Sequence, residues 1–267
     1  MGTFIEQQHS LRVKQGQIGL SWTGQAGFAF KDSQNVIYYI DPYFSNACSR
    51  YIGYHRSIPS PVKAGDVKAD FLLFTHEHRD HLDPDSVPEI AEMNPTAKFV
   101  GPPSCISILK EMGIAAERLI PIRRGQVQKV GNINLYAVMA FHTEDSLGYV
   151  LDLEETKVYI TGDTTYSDDL ISTVDFKPDL MMTCINGRLG CMNIPDAARL
   201  TAHIQPEYVI PMHFGLFKEN TADPEEFIRQ AESYSGIVKG IILEHGSWYI
   251  FDKNKGFTNN GLASDVM

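Results

Sequence analysis

A chain of 267 residues with 43% apolar side chains carries enough material to bury a large core unaided. Its net charge of −10 and pI near 5.3 exclude a broad electrostatic footprint for nucleic acid, while leaving room for a local basic pocket that binds a small anion. Met1 to Gln17 show no basic-then-apolar signal pattern, and no apolar run of about eighteen residues occurs that could span a bilayer. Gly2 is followed by Glu6 where a myristoylation motif requires Ser or Thr. The expectation is a cytoplasmic protein with no membrane or nucleic-acid partner, acting on a small molecule, and a homo-oligomer is left open. Cys48, Cys105, Cys184 and Cys191 lack paired short spacings and read as free or buried thiols in a reducing compartment.

In chain order, Ile18 to Trp22, Gly27 to Phe30 and Val36 to Asp41 read as an antiparallel meander, with turns at Gly24 and Asp32-Ser33. Tyr43 to Asp66, rich in Pro, Gly and Ser, reads as a long loop leading into a short strand from Phe71 to Thr75. Helical spacing over Asp85 to Met93 and Ser104 to Met112 brackets a strand at Lys98 to Gly101, which is a βα alternation. A second strand-rich block follows at Val127 to Val130, Ile133 to Ala140, Leu147 to Leu153 and Lys157 to Thr161, with Gly131-Asn132 as a hairpin turn. Alternation then returns. Leu180 to Cys184, a helix from Pro195 to His203, Tyr208 to Pro211, a helix from Pro224 to Ser233, Val238 to Leu243 and Trp248 to Phe251 complete the chain. Two halves that each run meander-then-βα suit two sheets packed face to face with helices outside, in a single domain over residues 1–267.

The chemistry is concentrated in His76-Glu77-His78-Arg79-Asp80-His81, directly after the apolar Phe71-Leu72-Leu73-Phe74. Imidazole and carboxylate are the ligands that borderline divalent cations accept, and this spacing can serve two neighbouring ions. Three further candidates each sit just past an apolar strand: His142, Asp163 in Thr161-Gly162-Asp163, and His213 in Pro211-Met212-His213-Phe214. Strand ends on one rim of a sandwich converge. The expected set is His76, His78 and His142 on one ion, Asp80, His81 and His213 on the other, and Asp163 bridging.

The hexapeptide resembles the H-x-H-x-D-H signature of the metallo-β-lactamase superfamily, and the order of the later candidates is similar too. The resemblance implies a four-layer αββα sandwich with two divalent metals, zinc or manganese, at one edge. Iron suits the site less, because redox work on iron would favour a carboxylate in place of His78. Within the superfamily, Val100-Gly101-Pro102-Pro103-Ser104-Cys105, Gly162-Asp163-Thr164-Thr165-Tyr166-Ser167 and Ala222-Asp223-Pro224-Glu225-Glu226 resemble the L-ascorbate-6-phosphate lactonase group. Those lactonases are longer, carry an insertion after the position of Phe141, and have an acidic residue where this chain has His142, so this chain reads as a compact relative.

The implied reaction is hydrolysis of a small phosphorylated sugar-acid lactone by a metal-held hydroxide, with Asp80 orienting the water and accepting its proton. Tyr166, Asn186 and Arg188 are the candidate substrate contacts, Arg188 being the expected anion binder. His55, Arg56, Arg79 and Lys218 are further cationic candidates, and Glu77 is either a support for the ligands or simply solvated. A phosphodiesterase or nuclease of the same fold, and a non-catalytic metal-binding scaffold, are the competing expectations.

Overall fold

The computed structural model describes residues 2–259. It consists of two mixed sheets packed face to face with helices outside, the αββα arrangement that the resemblance implies. The first sheet contains β1 (Gln17–Gly24), β2 (Gly27–Lys31), β3 (Ile37–Ile40), β4 (Phe71–Leu73), β5 (Lys98–Gly101) and β6 (Leu119–Pro121). The second contains β7 (Val127–Val130), β8 (Ile133–Met139), β9 (Leu147–Leu153), β10 (Thr156–Ile160), β11 (Leu180–Cys184), β12 (Tyr208–Met212) and β13 (Lys239–Gly240). The chain then returns to the first sheet as β14 (Trp248–Asp252) and β15 (Gly256–Asn259), giving the order β15-β14-β1-β2-β3-β4-β5-β6.

Alternation of side chains builds the layers. Phe28, Phe30, Tyr38, Ile40 and Leu73 point inward to meet Leu135, Tyr149, Leu151, Val158 and Ile160 of the second sheet. Their neighbours Ala29, Tyr39, Leu72 and Phe74 point to the other face, where α1 (Phe4–Ser10), α3 (Ser86–Met93) and α4 (Pro103–Glu111) cover them. On the far side α5 (Ile194–Ile204) and α6 (Pro224–Ser235) bury Ala197, Leu200, Phe227 and Ala231. The Asn193 and Asp223 side chains cap these helices, accepting from the Asp196 and Glu225 amides at 2.9 Å.

Each sheet is half antiparallel and half parallel. β3, β4, β5 and β6 are parallel neighbours in one, and β10, β11, β12 and β13 in the other. The C-terminal ends of β3, β4, β8, β10 and β12 deliver the loops bearing Asp41, the hexapeptide, His142, Asp163 and His213, and crevices at such strand ends are where ligands bind in open α/β sheets.

Several expectations shift. Thr3 and Glu6 form a capping box that starts α1, a signal present in the sequence at Thr3-x-x-Glu6 but not read there. The expected loop from Tyr43 to Asp66 contains α2 (Ala47–Ile52), which holds only two buried residues and therefore shows no helical stripe. β6 and β15 are short edge strands with little apolar pattern. The expected strand from Val238 to Leu243 shrinks to Lys239–Gly240, which pairs with Tyr208 and Val209 of β12 at the edge of the sheet, where Gly240 packs too closely on Ile228 for any larger residue. Among the described residues no helix is long and apolar enough to cross a membrane.

Candidate metal centre

β4 ends at Leu73, and the following residues fold back in a tight turn in which the His81 and Leu82 amides donate to the His78 carbonyl at 3.0 and 2.8 Å. This turn throws His76, His78, Asp80 and His81 to one side. Single donor atoms of His76, His78 and His142 lie within 4.8 Å of one another, as do those of Asp80, His81 and His213. Asp163 Oδ2 stands between the groups, 3.1 Å from His213 Nε2, 3.4 Å from His81 Nε2 and 3.7 Å from His142 Nε2. The seven side chains named from the sequence thus meet in one place, where the groupings overlap: His76, His81 and Asp163 also bring donor atoms within 4.8 Å of one another.

The hydrogen bonds around the cluster assign which ring nitrogens are bare. Asp41 Oδ2 accepts from His81 Nδ1 at 2.8 Å and from Thr75 Oγ1 at 2.6 Å. Thr75 Oγ1, its own proton committed, accepts in turn from His76 Nδ1 at 3.0 Å. One carboxylate thus orients two imidazoles through their Nδ1 atoms and turns His76 Nε2 and His81 Nε2, both buried, into the cluster; His76 Nε2 has no hydrogen-bond partner, and His81 Nε2 faces Asp163 Oδ2 at 3.4 Å. His142 Nδ1 donates to the Gly190 carbonyl at 3.1 Å, so its Nε2 accepts from His78 Nδ1 at 3.0 Å. Imidazole nitrogens converging on one another, with a buried His76 Nε2 and a buried Asp163 Oδ1 that both lack a partner, are the donor set of divalent-cation sites. The residues fit a divalent-cation site.

Without cations the cluster balances its own charge. Burial pulls His213 down, but the Asp163 and Asp80 carboxylates override it and push its pKa up to about 10. His81 behaves alike: burial opposes its protonation, and Asp163, Asp41 and Asp80 raise it well above the usual range. Burial and the neighbouring His81 hold His76 well below the usual range, and the same causes lower His78. Burial would raise the Asp80 carboxyl, yet His81 and His213 hold it far below normal. A bound cation would take over the compensation that protonated His81 and His213 provide, so metal binding would displace protons.

Backbone strain collects at the same rim. Gln25, Asp41 and His213 all take positive φ, at +53°, +46° and +64°, although none is glycine. The His213 amide donates to the Gln25 carbonyl at 2.8 Å, and Gln25 Nε2 donates to Asp80 Oδ2 at 2.9 Å. That lattice holds Asp80 beside His213, with its Oδ2 3.5 Å from His213 Nε2.

Residues 26–214 match the Beta-lactamase superfamily domain. The chain belongs to the metallo-β-lactamase superfamily. Within it, a UPF0173 metal-dependent hydrolase of Methanopyrus kandleri is 32% identical over 245 residues, covering 86% of this chain and 98% of the relative. Another, from Archaeoglobus fulgidus, is 29% identical over 248 residues, covering 88% and 99%. This chain is a member of that metal-dependent hydrolase family. Among solved structures, Igni18, a metallo hydrolase from the archaeon Ignicoccus hospitalis, superposes with a TM-score of 0.73 at 25% identity, covering 88% of this chain and 98% of Igni18.

The cluster opens to a cleft of about 420 Å³, lined by His78, Arg79, Asp80, His142, Asp163 and His213 together with Cys48, Ile52, Tyr54, Leu189 and Asn220. The substrate contacts expected from the sequence are dispersed. Tyr166 bonds Asp168 and lies under the Arg199 guanidinium at 4.4 Å, away from the cleft lining. Arg188 is exposed and also outside the lining, whereas its neighbour Leu189 forms part of the wall. Asn186 is buried and donates to Asn220 Oδ1 at 2.7 Å, which leaves Asn220 as the amide at the cleft. Of the other cations, Arg79 lines the cleft over the Tyr51 ring, while Arg56 is spent on the Ile58 and Tyr43 carbonyls. Glu77 accepts from Thr143 Oγ1 at 3.0 Å and Ser104 Oγ at 3.3 Å, tying the hexapeptide to the β8–β9 loop and α4.

Asp41, Thr75 and Gln25 were not singled out by sequence reasoning. Asp41 carried a usable signal, since it follows an apolar strand in the same manner as the ligands do. Gln25 carried none, because nothing local distinguishes a turn that is buried from one that is exposed.

Proposed function

We propose that this chain opens a small lactone bearing an anionic group, the phosphorylated sugar-acid lactones being the class suggested by its resemblance to the L-ascorbate-6-phosphate lactonases. The observation that carries the reading is the His/Asp cluster at the floor of a cleft whose wall offers one free guanidinium, Arg79, beside apolar Ile52, Tyr54 and Leu189. Two divalent ions, zinc or manganese, would be held by His76, His78 and His142, by Asp80, His81 and His213, and by Asp163 between them. When bound, such a pair lowers the pKa of a water towards neutrality and polarises a carbonyl oxygen.

The protein's own part is positional. Asp80, fixed by the Gln25 amide, orients the attacking water and takes its proton as the new C–O bond forms. The ring C–O bond then breaks, and Asp80 returns that proton to the departing alkoxide, so one water is consumed and one hydroxy acid is formed. The apolar wall limits bulk water around the reacting carbonyl, and Arg79, braced against Tyr51 at 4.5 Å, pairs with the substrate anion. Neither proton carrier nor anion contact requires a side chain from outside the cleft.

The test is a substrate panel on metal-restored protein, comparing phosphorylated and neutral lactones, aryl esters and bis-nitrophenyl phosphate. Lactone turnover that falls in kcat/KM for the phosphorylated substrate on Arg79→Ala, and less for a neutral lactone, is the expected outcome. Turnover confined to the phosphodiester would replace this reading with a phosphodiesterase, and no turnover of any ester would leave a metal-binding scaffold.

A further inference from the structure

The four cysteines are reduced and buried, and one of them stands apart by position. Among the described residues, Cys191 is the one cysteine whose Sγ lies within 4.8 Å of two other donor atoms, those of His142 and Asp163. Cys48 also lines the cleft, but it does not join such a group.

The placement of Cys191 is enforced by backbone. The segment after β11 doubles back on itself, the Gly187 amide donating to the Met192 carbonyl at 2.9 Å and the Cys191 amide to the Arg188 carbonyl at 3.0 Å. Leu189 and Gly190 take successive left-handed conformations, with φ of +53° and +82°, which makes that reversal tight. Two anchors then fasten it over the cluster: the Met192 amide donates to the carbonyl of Thr164, the residue after Asp163, at 2.7 Å, and His142 Nδ1 donates to the Gly190 carbonyl at 3.1 Å. The same strap that sets the His142 tautomer therefore carries the thiol to the flank of His142 and Asp163.

A second observation points to a ligand there. The Asp163 side chain is 5% exposed, its Oδ2 is surrounded by three imidazoles, and its Oδ1 has no hydrogen-bond partner. A buried carboxylate oxygen left in that state calls for a cation or a donor on its open side. His142, Asp163 and Cys191 bring an imidazole nitrogen, a carboxylate oxygen and a sulfur within 4.8 Å of one another, which is a donor set of the kind zinc accepts.

We propose that Cys191 supplies a thiolate to the ion shared by His142 and Asp163, an inference that rests on the metal-centre reading above. Binding of the cation releases the Sγ proton to solvent, and the sulfur–metal bond takes its place. A soft sulfur donor favours zinc over manganese, which prefers oxygen ligands, so the strap sets the metal preference of the site.

Cobalt substitution tests this without any turnover measurement. With cobalt(II) bound, visible d–d bands report occupancy of the cluster, and a near-ultraviolet sulfur-to-cobalt charge-transfer band reports a thiolate ligand. The wild-type protein is expected to show both. Cys191→Ser is expected to keep the d–d bands and lose the charge-transfer band, while Cys48→Ser keeps both. Absence of the charge-transfer band from wild type, or its persistence in Cys191→Ser, overturns the proposal while leaving the metal centre standing. Absence of all cobalt bands overturns the metal-centre reading and this proposal with it. Should Cys191→Ser not fold, X-ray absorption on the zinc-loaded wild-type protein decides the matter. A sulfur scatterer at about 2.3 Å supports the thiolate, and a shell of nitrogen and oxygen alone refutes it.

Discussion

Asp41→Asn isolates the device on which the metal centre depends, because it changes one atom in a side chain that orients two imidazoles without belonging to the cluster. Asp41 is fully buried at φ +46°, a conformation that Asn tolerates, so the backbone need not move. The Asn oxygen keeps the bond from the Thr75 amide, now 2.8 Å long, but an NH2 group replaces Oδ2 and faces Thr75 Oγ1 and His81 Nδ1–H. Donor then meets donor at His81, whose ring gains by moving its proton to Nε2, the atom that faces the cluster. The Thr75 hydroxyl is freed to turn towards His76, which weakens the fixing of the second ring. Loss of a partner that orients a metal ligand costs about 10- to 100-fold in affinity, or about 1.4 to 2.7 kcal/mol. Because two rings are affected at once, the expected loss lies at the upper end. Competition against a chromophoric chelator measures it directly, and near-ultraviolet circular dichroism of the metal-free protein checks that the core survives. Metal affinity within about twofold of wild type would refute the tautomer argument.

Three further outcomes are expected. Asp80→Ala should lower kcat by at least about 10²-fold in a variant whose near-ultraviolet circular dichroism shows an intact core, and near-normal turnover would contradict the role given to Asp80. Gly190→Ala places a Cβ 2.9 Å from His142 Nδ1 at a φ of +82°, so both stability and metal affinity should fall; a variant that matches wild type in a thermal melt and in chelator competition would show the strap to be slack. Burial is the largest single influence on Glu154 and opposes its ionisation, but the bonds it accepts from the Ser33 and Gly16 amides at 3.1 Å and from the Ser33 hydroxyl together outweigh it, and its carboxyl lies below its ordinary value of 4.5. A depressed folded-state pKa contributes stability above the unfolded value that is lost as pH falls through the folded one. The carboxylate is largely solvated, so the contribution is below about 1 kcal/mol, and Glu154→Gln should flatten the urea-measured stability slope in that acidic window. An unchanged slope would rule out the contribution.

The parts legible in the sequence are those whose signal is local. Period-two alternation over Phe28 to Phe30, Tyr38 to Ile40 and Leu72 to Leu73 reflects strands with one face on each layer, and that pattern is written into neighbouring residues. The hexapeptide and the three later strand-end residues stood out because imidazoles and carboxylates just past an apolar strand are costly to place there without a use. By contrast α2 stayed hidden in an apparent loop, since a two-turn helix with exposed Tyr51 and Ile52 has no stripe to reveal it. It is nonetheless the element that brings Ile52 to the cleft and Tyr51 under Arg79.

The order of apolar and metal-binding residues along the chain determined the sandwich class and the seven side chains of the cluster, because alternation and ligand chemistry are properties of short segments. Tertiary structure alone decided that Asp41 governs two imidazole tautomers, that Leu189 rather than Arg188 faces the cleft, and that Cys191 sits against Asp163. Each of these depends on distances between segments far apart in sequence, closed by a backbone reversal or a hydroxyl relay that leaves no periodic trace in the residues that form it.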